Sequence, residues 1–390
     1  MNSRVYILDV GLTKVGDHWK SSIQELAYES AKGLLHRNSR SIPFDGLVVA
    51  NALSEISSSQ QNLGPLIADA LQLDNVEAIE VEAAGASGAA AVHVASKMLS
   101  SEHWKKCLVI GVEKMRDLEP SKITLAQALS EQAEYTHFFG MSLASLNALL
   151  ARLYMSEYGT TRDQLSSFPV IAHKNSSTCE HAQFRKKFSR DDVSRSEIVS
   201  DPLRVLDCAP VGDGSAAIIL ASGEEMDAQQ RRNSVEIVTS ESASGRVNFF
   251  ERDDMLEFMS TKKAADRAFL KTGLSIDDID IFEIHDAYSV GAALICEALG
   301  LSKRGEACKD AVSGKFDLNG QFPISTFGGM KGRGYPVGAA GVYQFCEAFM
   351  QLKEKAGFNQ VPNARRALIQ TMSGIDSSCF IHILSTQHKG

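Results

Sequence analysis

The sequence predicts a layered α/β fold whose plan is used twice. Three observations carry this. Short apolar runs alternate with segments of helical period from the start of the chain to Val112, in the order β-α-β-α-β-α-β. The alternation resumes after about residue 222. Each half also holds a small-residue turn that opens a helix, Gly85-Ala-Ser-Gly88 in one and Gly338-Ala-Ala-Gly341 in the other. Two related halves then bring two helix N-termini towards one shared pocket.

Taken in order, Val5–Val10 is a strand. The stretch from Ser21 to His36 places Ile23, Leu26, Ala27, Ala31 and Leu34 on one helical face. Gly46–Ala50 is uninterrupted and apolar, as in a strand covered on both sides. A helix over Leu63–Leu73 and a strand over Ala78–Val81 follow. The alanines and glycines from Gly85 to Leu99 predict a central, closely packed helix, and Lys106–Val112 the next strand. From Glu113 to about Asp207 the rhythm breaks into a helix (Ser142 to Tyr158), polar turns and a charged segment. Loops of this length in a compact domain usually serve a function, so this stretch reads as an insertion covering the active face. Asp213–Ala221 closes the first half as a strand. In the second, Val235–Ser240, Ile279–Ile284, Ala367–Thr371 and Cys379–Leu384 are strands. Met259–Thr272, Tyr288–Leu299 and Val337–Leu352 are helices. The expected division is 1–222 and 223–390, with the insertion at about 113–207.

Composition narrows the function classes. The 390 residues carry a net charge of −8 and are 44% hydrophobic, which supports large cores and argues against nucleic acid as the main partner. No apolar run approaches the roughly 20 residues of a membrane helix. Met1 to Val10 reads as a first strand rather than a signal peptide, which points to the cytoplasm. Seven cysteines without a C-x-x-C describe neither a disulfide framework nor a zinc site, and no metal is expected.

The densest signal is Ser325–Gly341, where six of seventeen residues are glycine. Such a loop turns tightly or lets something large approach the backbone. It feeds a helix N-terminus, with its unpaired N–H groups and partial positive charge. Tyr335, just before Pro336, stands at the lip.

Six ordered motifs then match a known family: V-E-A-A-x-A-S-G-A-A-A, G-V-E-K-M, D-P-L-R-x-L-D-C, D-G-S-A-A, H-D-A-Y and G-G-x-K-G-R-G-Y-P-V-G-A-A-G. The chain resembles the thiolase superfamily over nearly its whole length, in particular the archaeal-type and sterol-carrier-type thiolases. The resemblance implies the thiolase fold: two βαβαβαββ halves forming a five-layered αβαβα arrangement, usually as a homodimer. It also implies Claisen chemistry on an acyl-CoA, with the coenzyme A thioester as substrate and no tightly bound cofactor.

At each catalytic position the chain departs from the family. The nucleophilic cysteine falls on Gly85, which has no atom to acylate. The histidine of G-H-P falls on Tyr335, and the proton-shuttling cysteine of H-D-C-F on Ala287. The C-terminal glycine motif, around Gly374, is altered to Thr371-Met-Ser-Gly-Ile-Asp376. His285 is retained, and the resemblance implies that it faces the thioester oxygen, with Gly85, Gly338 and Gly374 shaping the oxyanion pocket. Asp286 beside it either orients the imidazole or is an exposed turn carboxylate. A nearby helix N-terminus would lower the Tyr335 phenol from its usual value of about 10.

An enolate site, a proton-transferring tyrosine and no nucleophile suit retro-aldol cleavage of a β-hydroxyacyl-CoA, or its reverse. The pattern is similar to the thiolase-like steroid side-chain aldolases, which imply a separate zinc-ribbon/OB-fold partner that binds acyl-CoA. Two alternatives stand beside it: an acyltransferase using a partner or another nucleophile, and a non-catalytic acyl-CoA-binding or scaffold subunit. Ser87 is the nearest other hydroxyl, with the turn as its competing role. His137 is a substrate contact or a packed histidine. Arg185-Lys-Lys187 meets CoA phosphates or is a solvated face. Asn175-Ser-Ser177 matches a glycosylation pattern of little meaning in a cytoplasmic chain. Cys379 and His382 read as core.

Overall fold

The computed structural model describes residues 3–38, 43–136 and 138–386. Nine strands form one mixed sheet in the order β3-β2-β4-β7-β1-β8-β11-β10-β9. They are β1 (Val5–Leu12), β2 (Gly46–Ala50), β3 (Glu77–Val81), β4 (Lys106–Glu113), β7 (Gly214–Ser222), β8 (Val235–Ser244), β9 (Ile281–Glu283), β10 (Arg366–Ser373) and β11 (Ser378–Ser385). A separate two-stranded ribbon, β5 (Ile198–Ser200) with β6 (Leu203–Arg204), lies in the long segment between β4 and β7.

The first five strands meet the last four only through β1 and β8, whose pairing covers Val5, Tyr6 and Ile7. Beyond it the two parts of the sheet enclose a middle layer of two helices, Ser87–Ser100 and Ala340–Leu352, which pack on strands from both sides. Strand alternation shows the layering. Val48, Val109, Ile218 and Leu220 point into the middle core with Ile369 and Leu384, while Leu47, Val49, Leu108 and Ile110 point outward to the helices Ile23–Arg37 and Leu63–Ala70. On the far side Leu368, Ile381 and Ile383 face the core of the helices Met259–Thr272 and Ser289–Ala298. Side chains alternate faces along a strand, so an apolar run on both faces needs cover on both. The result is the five-layered αβαβα arrangement.

The middle helices touch backbone to backbone. A Cβ at Gly88 would lie 2.6 Å from Val342 N, and one at Gly341 2.6 Å from Ala89 N. This is the physical use of the two small-residue stretches: only glycine leaves room for that crossing. In the second half one strand shortens. Between the helices Ser289–Ala298 and Ala340–Leu352 the third strand of the plan is a single parallel bridge, Ile324 beside Phe282. Pro323 has no N–H to extend a ladder and Ser325 turns away with φ of 45°.

The segment after β4 folds into helices, among them Pro120–Ala128, Leu143–Tyr158 and Ser167–Ser176. The longest starts with a capping box, Ser142 and Ser145 each accepting the other's backbone N–H, and stops at Gly159 in the left-handed region. No helix among the described residues is long and apolar enough to cross a membrane.

Candidate active site

A cavity of about 490 Å³ opens where the turn before Ser87–Ser100 meets the glycine loop. Gly85, Ala287, His285, Tyr335 and Gly374 all line it. Strand β9 delivers His285 just past its end. The glycine loop delivers Tyr335, with Gly328, Gly329 and Gly334 at positive φ making the turns a side chain resists. Between Gly334 and Pro336, Tyr335 is held by a parallel bridge to Val211.

The Tyr335 hydroxyl lies 3.2 Å from His285 Nε2, with the rings edge to face. Both occupy the place of the missing side chain. A Cβ at Gly85 would be 2.6 Å from the Tyr335 hydroxyl oxygen, 2.8 Å from His285 Cε1 and 3.0 Å from the Met372 carbonyl oxygen. A side chain at residue 85 and a phenol at residue 335 therefore exclude each other in this geometry. The Gly85 and Gly374 N–H groups have no acceptor among the described residues.

Burial sets the protonation states. His285 is lowered to about 3 by desolvation, reinforced by Arg333 and Lys331 behind it, so the imidazole is neutral at physiological pH. The Tyr335 phenol is raised, not lowered, by desolvation first and the Glu113 carboxylate second. The expected pull of the helix N-terminus fails for a structural reason. Glu113 sits on that N-terminus, accepting the Gly338 N–H at 2.8 Å together with the Ala52 and Leu53 N–H groups and Asn51 Nδ2. Buried, the Glu113 carboxyl is itself pushed up to about 7.

Two expected site residues thus stand behind the cavity rather than on it. Gly338 gives its N–H to Glu113. Asp286 turns from the imidazole: its carboxylate accepts the Met330 N–H at 2.7 Å and pairs with Lys331 at 3.3 Å, while the Lys331 ammonium also reaches the Asp286 carbonyl. Among the described residues His285 Nδ1 has no partner, so nothing orients the ring from that side. Its backbone N–H is held instead by Gln370 Oε1 at 2.9 Å. Arg333 pairs with Glu347 at 3.1 Å and lies over the Tyr343 ring, so both cations of the K-G-R-G motif are buried supports.

None of the seven cysteines lines the cavity. Cys379 is buried on β11, near Gln370 Nε2, and its thiol is raised. Ser87 is spent on the turn, accepting the Ala83 N–H and donating to the Ala84 carbonyl. Arg185, Lys186 and Lys187 are exposed and away from the cavity. His137 lies outside the described residues.

Sequence reasoning missed three lining residues with free polar atoms or helical cover. Tyr288, the last residue of H-D-A-Y, has a hydroxyl with no partner among the described residues and packs beside Tyr335. Its place directly after Ala287 was the available signal. Ser130 and Asn147 come from the long segment, whose sequence shows helices but not which face meets the cavity.

Comparison with known proteins agrees with this architecture. Residues 5–224 match the family model "Thiolase, N-terminal domain" and residues 242–386 match "Thiolase C-terminal domain-like". The chain is 34% identical to an acetyl-CoA acetyltransferase of Methanothermobacter thermautotrophicus over 98% of its own length and 99% of the relative's. It is 29% identical to sterol carrier protein 2 of Gallus gallus, covering 94% of this chain and 69% of that one. Among solved structures the Ltp2-ChsH2(DUF35) aldolase superposes with a TM-score of 0.83, at 20% identity, over 98% of this chain and 97% of the other.

Proposed function

The chain belongs to the thiolase superfamily, and we propose that it breaks or forms a carbon–carbon bond in a β-hydroxyacyl-CoA by retro-aldol chemistry, without an acyl-enzyme. One observation carries this reading. The space a nucleophilic side chain at residue 85 would need is filled by the Tyr335 hydroxyl, in hydrogen-bond contact with His285.

In the cleavage direction the β-hydroxyl proton passes to the Tyr335 oxygen as the Tyr335 proton moves to His285 Nε2. The Cα–Cβ electron pair becomes the thioester enolate and the carbonyl fragment departs. The proton then returns to Cα, giving a shortened acyl-CoA. In this reading the Gly85 and Gly374 N–H groups, which have no acceptor among the described residues, donate to the enolate oxygen; losing one such donor typically costs about 2.7–4 kcal/mol. A free phenol at Tyr288 adds a second hydroxyl on the same wall. The second component named with the solved aldolase, ChsH2(DUF35), supports a partner chain of the zinc-ribbon/OB-fold kind for this protein too. Homodimerisation belongs to the same reading and is checked by light scattering.

A second reading, acyl transfer, is favoured by the acetyltransferase names of relatives. One experiment separates the two. The purified protein is incubated with a 3-hydroxyacyl-CoA, then products and intact protein mass are measured. Retro-aldol chemistry gives a carbonyl compound and a shorter acyl-CoA in equal amounts with an unmodified chain. A stoichiometric acyl adduct establishes acyl transfer and ends the present proposal; binding with no product at all leaves a binding subunit.

A further inference from the structure

The cavity contains a polar atom that the reaction above does not use. Asn147 lies on the Leu143–Tyr158 helix and is 4% exposed. Its Nδ2 donates to the Leu143 carbonyl at 2.9 Å. A carbonyl only accepts, so this bond fixes the amide orientation and leaves Oδ1 on the other side. Oδ1 receives no hydrogen bond from any described residue.

What it faces is open space. Gly291, on the Ser289–Ala298 helix, also lines the cavity, and a Cβ there would lie 3.8 Å from Asn147 Oδ1 and within 4 Å of nothing else. The apolar residues Leu143, Ala287 and Met372 also line the cavity. Water reaches this acceptor in the open cavity; an acyl chain that displaces the water must donate in its place or lose about 1–3 kcal/mol, so the position favours a ligand group that donates.

We propose that Asn147 is a specificity-determining residue whose Oδ1 accepts a hydrogen bond from a second hydroxyl on the acyl chain, beyond the one at Cβ. The preferred substrates are then thioesters of dihydroxy acids. The proposal rests on the retro-aldol reading only in taking the occupant to be an acyl-CoA. Position argues for a group beyond Cβ: Gly291 is three residues past Tyr288, or roughly 4.5 Å further along the helix axis, and Tyr288 already flanks Tyr335. Gly291 and Ala287 are small enough to leave the chain room to reach it.

The test is equilibrium binding, which does not depend on turnover. Dissociation constants are measured by calorimetry for 3-hydroxyoctanoyl-CoA and for its counterparts carrying a second hydroxyl at successive carbons. The proteins are Tyr335→Phe, to prevent turnover, and the same chain with Asn147→Leu or with Gly291→Ala. At least one dihydroxy isomer binds about tenfold tighter than the monohydroxy thioester, the increment of a well-made hydrogen bond. Asn147→Leu abolishes that preference while retaining monohydroxy binding. Gly291→Ala, which improves helix propensity, weakens the same isomer selectively by filling the space before the oxygen. Equal affinities for every isomer, or a preference that survives Asn147→Leu, overturn the proposal. A preference that disappears as expected in thioesters that wild-type protein never cleaves upholds this subsite and removes the retro-aldol reading.

Discussion

Tyr335 and His285 share a 3.2 Å contact in a buried wall, and burial drives their acidities apart, the imidazole down to about 3 and the phenol up. Both are neutral across the physiological range, so the pair moves a proton by relay rather than by starting as a phenolate. Replacing Tyr335 with Phe keeps the ring and removes the relay. We expect kcat to fall by roughly 10²–10⁴-fold, as for loss of a general acid–base group, with thioester affinity nearly unchanged. The rate should show no inflection near the ordinary histidine value of about 6.5, because His285 does not titrate there. A pH–rate profile with a clear break at that value would mean that His285 titrates in the resting enzyme and so does not start the relay as the neutral imidazole. At Gly85 the expectation is steric. Gly85→Ala sets a methyl 2.6 Å from the phenolic oxygen and should destabilise the fold by about 1–3 kcal/mol, read from the urea midpoint, while displacing Tyr335 and abolishing turnover. Much at this scale was legible in the sequence, because a missing cysteine and an out-of-place tyrosine are visible as letters. The direction of the Tyr335 shift was not. It follows first from the burial of the phenol and then from Glu113, more than two hundred residues earlier in the chain, reaching the same helix end.

Among the elements, the helices Ser87–Ser100 and Ala340–Leu352 depend most on their sequence. They cross at Gly88 and Gly341 with no room for a Cβ, and the collision would be with backbone rather than a side chain that can swing aside. Gly341→Ala should therefore cost about 3 kcal/mol, the upper range for overpacking, although alanine favours a helix. Denaturant unfolding measures it. The same middle layer holds a pH response. His382 is fully buried between the sheets with neither ring nitrogen bonded, and its pKa is far below normal; beside it His93 is lowered to about 4 by desolvation and Lys97. Groups depressed in this way bind protons in the unfolded chain first, so stability falls as pH drops from about 6.5 towards 4. Glu113 and Glu131, both raised to about 7, act in the opposite direction over this window. Comparing wild type with His382→Phe isolates the histidine: the variant should lose less stability between pH 7 and pH 5, a range that spans the ordinary histidine value of about 6.5. Element order followed closely from apolar periodicity. The shortened strand at Ile324 escaped it, since a single Pro323 decides whether a ladder extends.

For the whole molecule, the cavity's position at the meeting of both sheet portions ties ligand binding to global stability. A thioester at a hundred times its dissociation constant should add about 2.7 kcal/mol, seen as a rise in Tm. Among the described residues the cavity lining contains no lysine or arginine, whereas Glu55, Glu80 and Glu82 line it and are exposed. Free CoA, which carries the phosphates but no acyl chain, should stabilise less than acyl-CoA. Added salt should strengthen rather than weaken its binding by screening like charges. A fall in affinity with salt would locate the phosphates on basic residues outside this lining. The layered plan was readable because both faces of the strands had to be apolar, but which loops close over the cavity was not, as helical period says nothing about which neighbour a face meets. The shared volume at residues 85 and 335 also constrains how such a chain can be converted. Restoring a thiol while the tyrosine stays meets an occupied site, so Gly85→Cys alone should give a poorly folded, inert protein. Tyr335→His removes the nearest obstacle first, leaving His285 Cε1 and the Met372 carbonyl oxygen to give by a few tenths of an ångström. Any route between the two chemistries therefore has a compulsory order, and it passes through a form that has neither the sulfur nor the phenol.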